Sequence, residues 1–104
     1  MTQAIDMHVA CPDRDTALAI ARAAVERKLA ACANIWGPLT SVFCWEGAVE
    51  EDTEQMLSLK SVETRATALC DLIGELHPYD LPAITWQRVE AEPGTLSWLE
   101  QETG

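Results

Sequence analysis

At 104 residues, with 48% apolar and 23% charged side chains, the chain has the make-up of one compact globular domain over residues 1–104 and no room for a second. Seventeen Asp and Glu against seven Lys and Arg, a formal net charge of −10, argue against nucleic acid as a partner, because clustered cations supply most of that affinity. Cations are the better expectation for a charged ligand. No apolar stretch approaches the roughly 20 residues that a membrane span needs, and the acids at Asp6, Asp13 and Asp15 do not fit an export signal. The expectation is a cytoplasmic protein without a membrane partner, its thiols reduced.

In chain order, Ala4 to Ala10 alternates Ile5, Met7 and Val9 with Asp6 and His8, which predicts a strand. Asp13 or Asp15 then caps a helix running to about Leu29, with Leu18, Ala21, Val25 and Leu29 at helical spacing and many alanines for close packing. From Ala31 to Trp45 the residues favour one long strand, bent at Gly37-Pro38. Glu46-Gly47 is a turn signal, and Ala48 to Lys60 returns as the partner, a hairpin of about fourteen residues per arm. Ser61 or Glu63 opens a second helix, with Ala66, Leu69, Leu72, Ile73 and Leu76 as its apolar stripe, stopped before His77-Pro78. Ala83 to Val89 reads as a short strand, and Pro93-Gly94 leads into a short C-terminal helix.

The order βαββαβ with a long hairpin and a short C-terminal helix predicts an α+β fold, a ferredoxin-like sandwich with helices on one face of an antiparallel sheet. The other face, expected to carry Trp and aliphatic side chains, would then be an exposed apolar patch, and self-association is the economical way to cover it.

Copper chemistry asks for thiolate or thioether with Cu(I) and imidazole with Cu(II). The inventory is His8, His77, the four cysteines and Met1, Met7 and Met56. Cys11, Cys32, Cys44 and Cys70 stand 21, 12 and 26 residues apart, without a CxxC pair, and each is expected to be a small buried hydrophobe. No ligand pair lies at i, i+3 or i, i+4 on a helix, so any chelate must be assembled by the fold or across subunits. Glu46, Glu50, Glu51, Asp52 and Glu54 form the one pronounced acidic patch, read as solvated hairpin acids that offer oxygen ligands to hard cations. Tyr79, Asp80 and Pro82 belong to a proline-bounded loop suited to a pocket rim. Glu54 and Lys60 are candidates to line an intersubunit cleft. Trp45 beside the turn suits an oligomer contact, and Trp36, Trp86 and Trp98 are expected in the core or at an interface.

Three segments in this order, RKLAACANI (27–35), SVFCWEGAVEEDTEQMLSLK (41–60) and HPYDLPAI (77–84), resemble the CutA family of divalent-cation tolerance proteins. The resemblance implies a ferredoxin-like fold assembled as a tight homotrimer, similar in architecture to the PII signalling proteins, with a link to copper and other divalent metal ions and no enzymatic reaction. Some members carry a cysteine three residues before the proline of the first strand-to-helix turn and a His-His pair before Pro-Tyr. Here those positions hold Val9 and Leu76-His77. His77 is therefore the remaining candidate metal ligand, and Cys11, two residues after Val9 and on the same face of a strand, is the candidate to replace the missing thiol.

The leading functional expectation is thus a trimeric, non-enzymatic protein of copper binding and divalent-cation tolerance. The alternative is a PII-like sensor that binds a small anionic ligand in the intersubunit cleft, its charge supplied by Lys28, Lys60, Arg65 and Arg88. His77, Tyr79 and Asp80 are acid–base residue types, but no motif with catalytic mechanics accompanies them.

Overall fold

The computed structural model describes residues 2–104, so the methionine at position 1 lies outside it. The order is β1 (Ala4–Cys11), α1 (Arg14–Glu26), β2 (Cys32–Trp45), β3 (Ala48–Val62), a 3-10 turn (Glu63–Arg65), α2 (Ala66–Leu76), β4 (Ile84–Val89) and α3 (Pro93–Glu102). The four strands form one antiparallel sheet ordered β2-β3-β1-β4, the ferredoxin-like arrangement expected.

Strand alternation decides which face receives the helices. Ile5, Met7, Val9 and Cys11 of β1 and Leu57 and Leu59 of β3 are buried together with Ala17, Ile20, Ala21 and Ala24 of α1 and Leu69, Leu72 and Ile73 of α2. The buried face of α1 is therefore its alanine face, not the Leu18, Ala21, Val25, Leu29 stripe that spacing alone predicts; Val25 is exposed and only Ala21 is shared. Small side chains let the helix axis approach the sheet, and that closeness outweighs the bulk of the rotated leucine stripe. Asp13 caps α1, its Oδ1 accepting from the Thr16 backbone N–H at 2.7 Å, and this bond holds its carboxyl below the usual range. The helix ends at Glu26 rather than near Leu29, followed by Lys28 in the left-handed region at φ 59°.

The hairpin turns on two residues, Glu46 and Gly47, both at positive φ (50° and 81°), the conformation whose twist matches the flanking strands. Its arms slip register between Trp36 and Leu39, where Gly37 and the cis Gly37-Pro38 peptide form an irregularity in β2. Gly37, at φ 151°, holds a backbone conformation that residues with a side chain rarely adopt, and an added Cβ would also lie 3.1 Å from the Glu54 carbonyl oxygen.

The far face of the sheet differs from expectation. Cross-strand rows place Cys32, Lys60, Asp6 and Gln87 together, then Asn34, Ser58, His8 and Thr85, then Trp36, Met56 and Ala10. Polar residues dominate these three rows, with an Asp6–Lys60 ion pair at 3.7 Å, and within them Trp36 and Met56 are the large apolar side chains. One end of this face is covered by α3, whose Leu99 and Leu96 pack on Ala4, Val62 and Val89. Arg65 ties that helix down, donating from Nε and Nη2 to the Thr103 carbonyl at 2.9 and 2.6 Å.

Leu57 pairs with Val9 and Ile35 and is fully buried under α1 and α2. Truncation by Leu57→Ala is expected to destabilise the fold by about 2–5 kcal/mol, read from the urea midpoint at unchanged m-value.

Candidate functional site

Pro78 disfavours helical backbone in the residue before it, and His77 accordingly leaves α2 in an extended conformation, φ −81° and ψ 135°. That turn carries the His77 side chain to the end of β1. Strand β4 stops at Ile84, opposite Val9, so Ala10 has no β4 partner. Its carbonyl instead accepts from the His77 Nε2 at 2.9 Å. The other ring nitrogen, Nδ1, accepts from the Tyr79 backbone N–H at 3.2 Å. The Tyr79 ring tilts over the imidazole at a centroid distance of 4.6 Å, and its hydroxyl donates to the Glu54 Oε2 at 2.9 Å.

The cluster therefore joins four elements: β1 through Ala10 and Cys11, β3 through Glu54, the C-terminus of α2 through His77, and the following loop through Tyr79. Glu54 is 7% and His77 6% exposed, while Tyr79 is 38% exposed. Cys11 is buried beside them; burial first, then the Glu54 and Asp13 carboxylates, push its thiol from 9.0 up to about 11. Burial, the hydrogen bond to Glu54 and the charges of Glu54 and Asp52 also raise the Tyr79 hydroxyl above its usual value. At neutral pH the thiol and the phenol beside Glu54 both hold their protons. Among the described residues, the ion pairs do not include Glu54.

Of the residues singled out in the sequence, His77, Cys11, Tyr79 and Glu54 come together. The others do not. Lys60 lies six residues along β3 from Glu54, about 20 Å in an extended strand, and pairs with Asp6 on the far face. Asp80 is exposed in the loop, and Trp45 sits at the hairpin tip. Trp36, Trp45, Trp86 and Trp98 are 41–49% exposed, so none belongs to the core. Of the cysteines only Cys11 is fully buried, Cys32 and Cys70 are half-buried and Cys44 is exposed, which corrects the expectation of four buried thiols. Residue spacing carries no signal for the Tyr79–Glu54 bond, which spans 25 positions, nor for Arg65 holding Thr103 across 38.

A divalent cation does not fit this cluster as arranged. Both His77 nitrogens are engaged, and among the described residues no three His, Cys, Asp or Glu side chains are grouped to hold a metal ion.

The family assignment comes from comparison with known proteins. The CutA1 divalent ion tolerance protein family matches residues 5–102. The chain belongs to the CutA1 family. "Divalent-cation tolerance protein CutA" of Thermus thermophilus is 38% identical over 97 residues, 92% of this chain and 94% of that one. "Protein CutA" of Mus musculus is 38% identical over 96 residues, covering 91% of this chain. The chain spans just over half the length of the mouse and human relatives, 54% of each. Among solved structures, the Thermus thermophilus CutA1 superposes at a TM-score of 0.92 with 36% identity and full coverage of both chains. The CutA1 of Oryza sativa superposes at 0.93 with 31% identity, covering 98% of this chain and 94% of its own. Among the described residues, no helix of this CutA1 chain is long and apolar enough to cross a membrane.

Tyr79→Phe removes the hydroxyl donor and leaves a mostly buried Glu54 oxygen without its partner, an expected loss of about 1–3 kcal/mol in urea unfolding, with Glu54→Gln losing less because it keeps an acceptor oxygen. The folded chain retains the Cys11 proton where the unfolded chain releases it. The stability this contributes is therefore intact below pH 9 and falls as pH rises from 9 to about 11. Urea midpoints across that window are expected to fall, and to fall less steeply in Cys11→Ala.

Proposed function

We propose that this chain acts in divalent-cation tolerance, with copper among the cations it answers to, as a cytoplasmic homotrimer that catalyses no reaction. The observation that carries the assembly is the state of the sheet edges. Strands β2 and β4 are the two ends of the order β2-β3-β1-β4, and both edges lie open in the single chain. Exposed aromatic side chains follow them: Trp36, Phe43 and Trp45 on β2 and Trp86 on β4. Bare edges with large apolar neighbours are a liability that a second copy removes. Joining one type of edge to the other between copies is a head-to-tail contact, which closes into a ring when the rotation per step allows.

The charge supports a cationic rather than an anionic ligand. A net charge of −10 and the exposed Glu46, Glu50, Glu51 and Asp52 draw divalent ions to the hairpin arms. A closed coordination shell then needs donors from more than one copy, since no such set exists within the described residues of one chain. The PII-like alternative asks for cations around an anionic ligand, and each of the four expected to serve has an acid or a carbonyl as its neighbour. Lys28 meets Glu102, Lys60 meets Asp6, Arg88 meets Glu63 and Arg65 holds the Thr103 carbonyl.

Native mass spectrometry of the reduced protein, with and without one equivalent of copper, tests both parts. The expected spectrum is a trimer that retains a fixed number of copper ions. A monomer at micromolar concentration would refute the assembly, and a trimer that sheds all copper would refute the cation reading.

A further inference from the structure

We infer that His77 is a latch in the neutral Nε2–H form, standing in for a missing strand at the end of β1, and that the closed latch keeps divalent cations out of the His77–Cys11 cluster. The reading rests on which atom can donate. A carbonyl oxygen only accepts, so the 2.9 Å contact between Nε2 and the Ala10 oxygen requires the proton on Nε2. The Tyr79 backbone N–H only donates, so the 3.2 Å contact at Nδ1 requires the lone pair there. Together the two contacts select one tautomer and leave no free nitrogen lone pair.

A metal ion coordinates through such a lone pair. To reach Nδ1 it must displace the Tyr79 N–H. To reach Nε2 the ring must lose its proton or turn, which orphans the Ala10 carbonyl where β4 offers no replacement. Tyr79 does not yield alone, because its hydroxyl is anchored on the mostly buried Glu54 and its ring lies against the imidazole. Binding at His77 therefore opens the loop, the strand end and the Glu54 contact together. Cation tolerance in this chain runs through other residues, with His77 contributing the architecture that carries them. This inference uses the cation reading above only to choose its probes.

Long-range 15N–1H correlation spectra of the whole protein, recorded at neutral pH and then titrated with Zn2+ and separately with Cu2+, test it directly. His8, half-exposed on the far face, is the internal comparison. The expected His77 pattern is a protonated Nε2 and an unprotonated Nδ1, neither shifted by Zn2+ nor selectively broadened by one equivalent of Cu2+. By native mass spectrometry, His77→Gln is expected to keep the parent's copper stoichiometry. A proton on Nδ1, a Zn2+-induced shift of either ring nitrogen, selective bleaching by Cu2+ or the loss of one copper per chain in the variant would each overturn the latch. Absence of copper from both parent and variant would refute the cation reading alone, while the tautomer pattern would still decide the latch.

Discussion

The close seating of α1 on the centre of the sheet is the contact on which the other features depend. Ala17, Ala21 and Ala24 put almost no side chain between helix and strand, so Ile20 of α1 and Met7, Val9 and Leu57 of the sheet fill the space that remains. Once α1 lies there, α2 is left the adjoining part of the same face. Its C-terminus then arrives above the end of β1, where His77 meets Ala10. A bulkier helix face would lift α1 and displace that meeting point. The position of a polar cluster thus follows from the smallness of apolar residues some distance away.

The cluster itself is held by mutual satisfaction. The His77 imidazole and the Glu54 carboxyl are buried, the Ala10 carbonyl and the Tyr79 phenol partly so, and each supplies what its neighbour lacks. Among the described residues, no buried side-chain nitrogen or oxygen is left without a partner. A cation added to such a set has to compete with bonds that are already made. A family name that speaks of cations and a histidine at a suggestive position are therefore compatible with a histidine whose work is mechanical.

Much of the fold was legible because it rests on periodicity and punctuation. Alternation in Ile5, Met7 and Val9, the Asp13 cap, the Glu46-Gly47 turn and the Pro78 stop are local signals, and each element they predict is present. The rotation of α1 was not legible, since leucine spacing and alanine smallness point to different faces and only the distance to the sheet chooses between them. Nor was the polarity of the far face: whether Trp36 stands among aliphatic or polar neighbours depends on register across three strands. For the site, sequence brought out His77, Cys11, Tyr79 and Glu54 as separate candidates; the local His77–Tyr79 contact spans two positions, but the bonds that tie this pair to β3 and β1 cross 25 and 67 and leave no trace in spacing. Lys60 and Asp80 looked equally promising on residue type and lie elsewhere.

The β2–β3 hairpin has a consequence for how the molecule comes apart. The molecule extends 44 Å along its long axis against 23 and 22 Å across, and residues 42–53 of the hairpin are exposed throughout, with no helix beneath them. At the opposite end of the sheet, helices cover one face and α3 the other. Local stability is therefore graded along the axis. In the single chain the arms lack the packing that holds the body, so their local stability depends on what covers them. A copy that covers Trp36, Phe43 and Trp45 would supply to the hairpin the burial that its own helices do not.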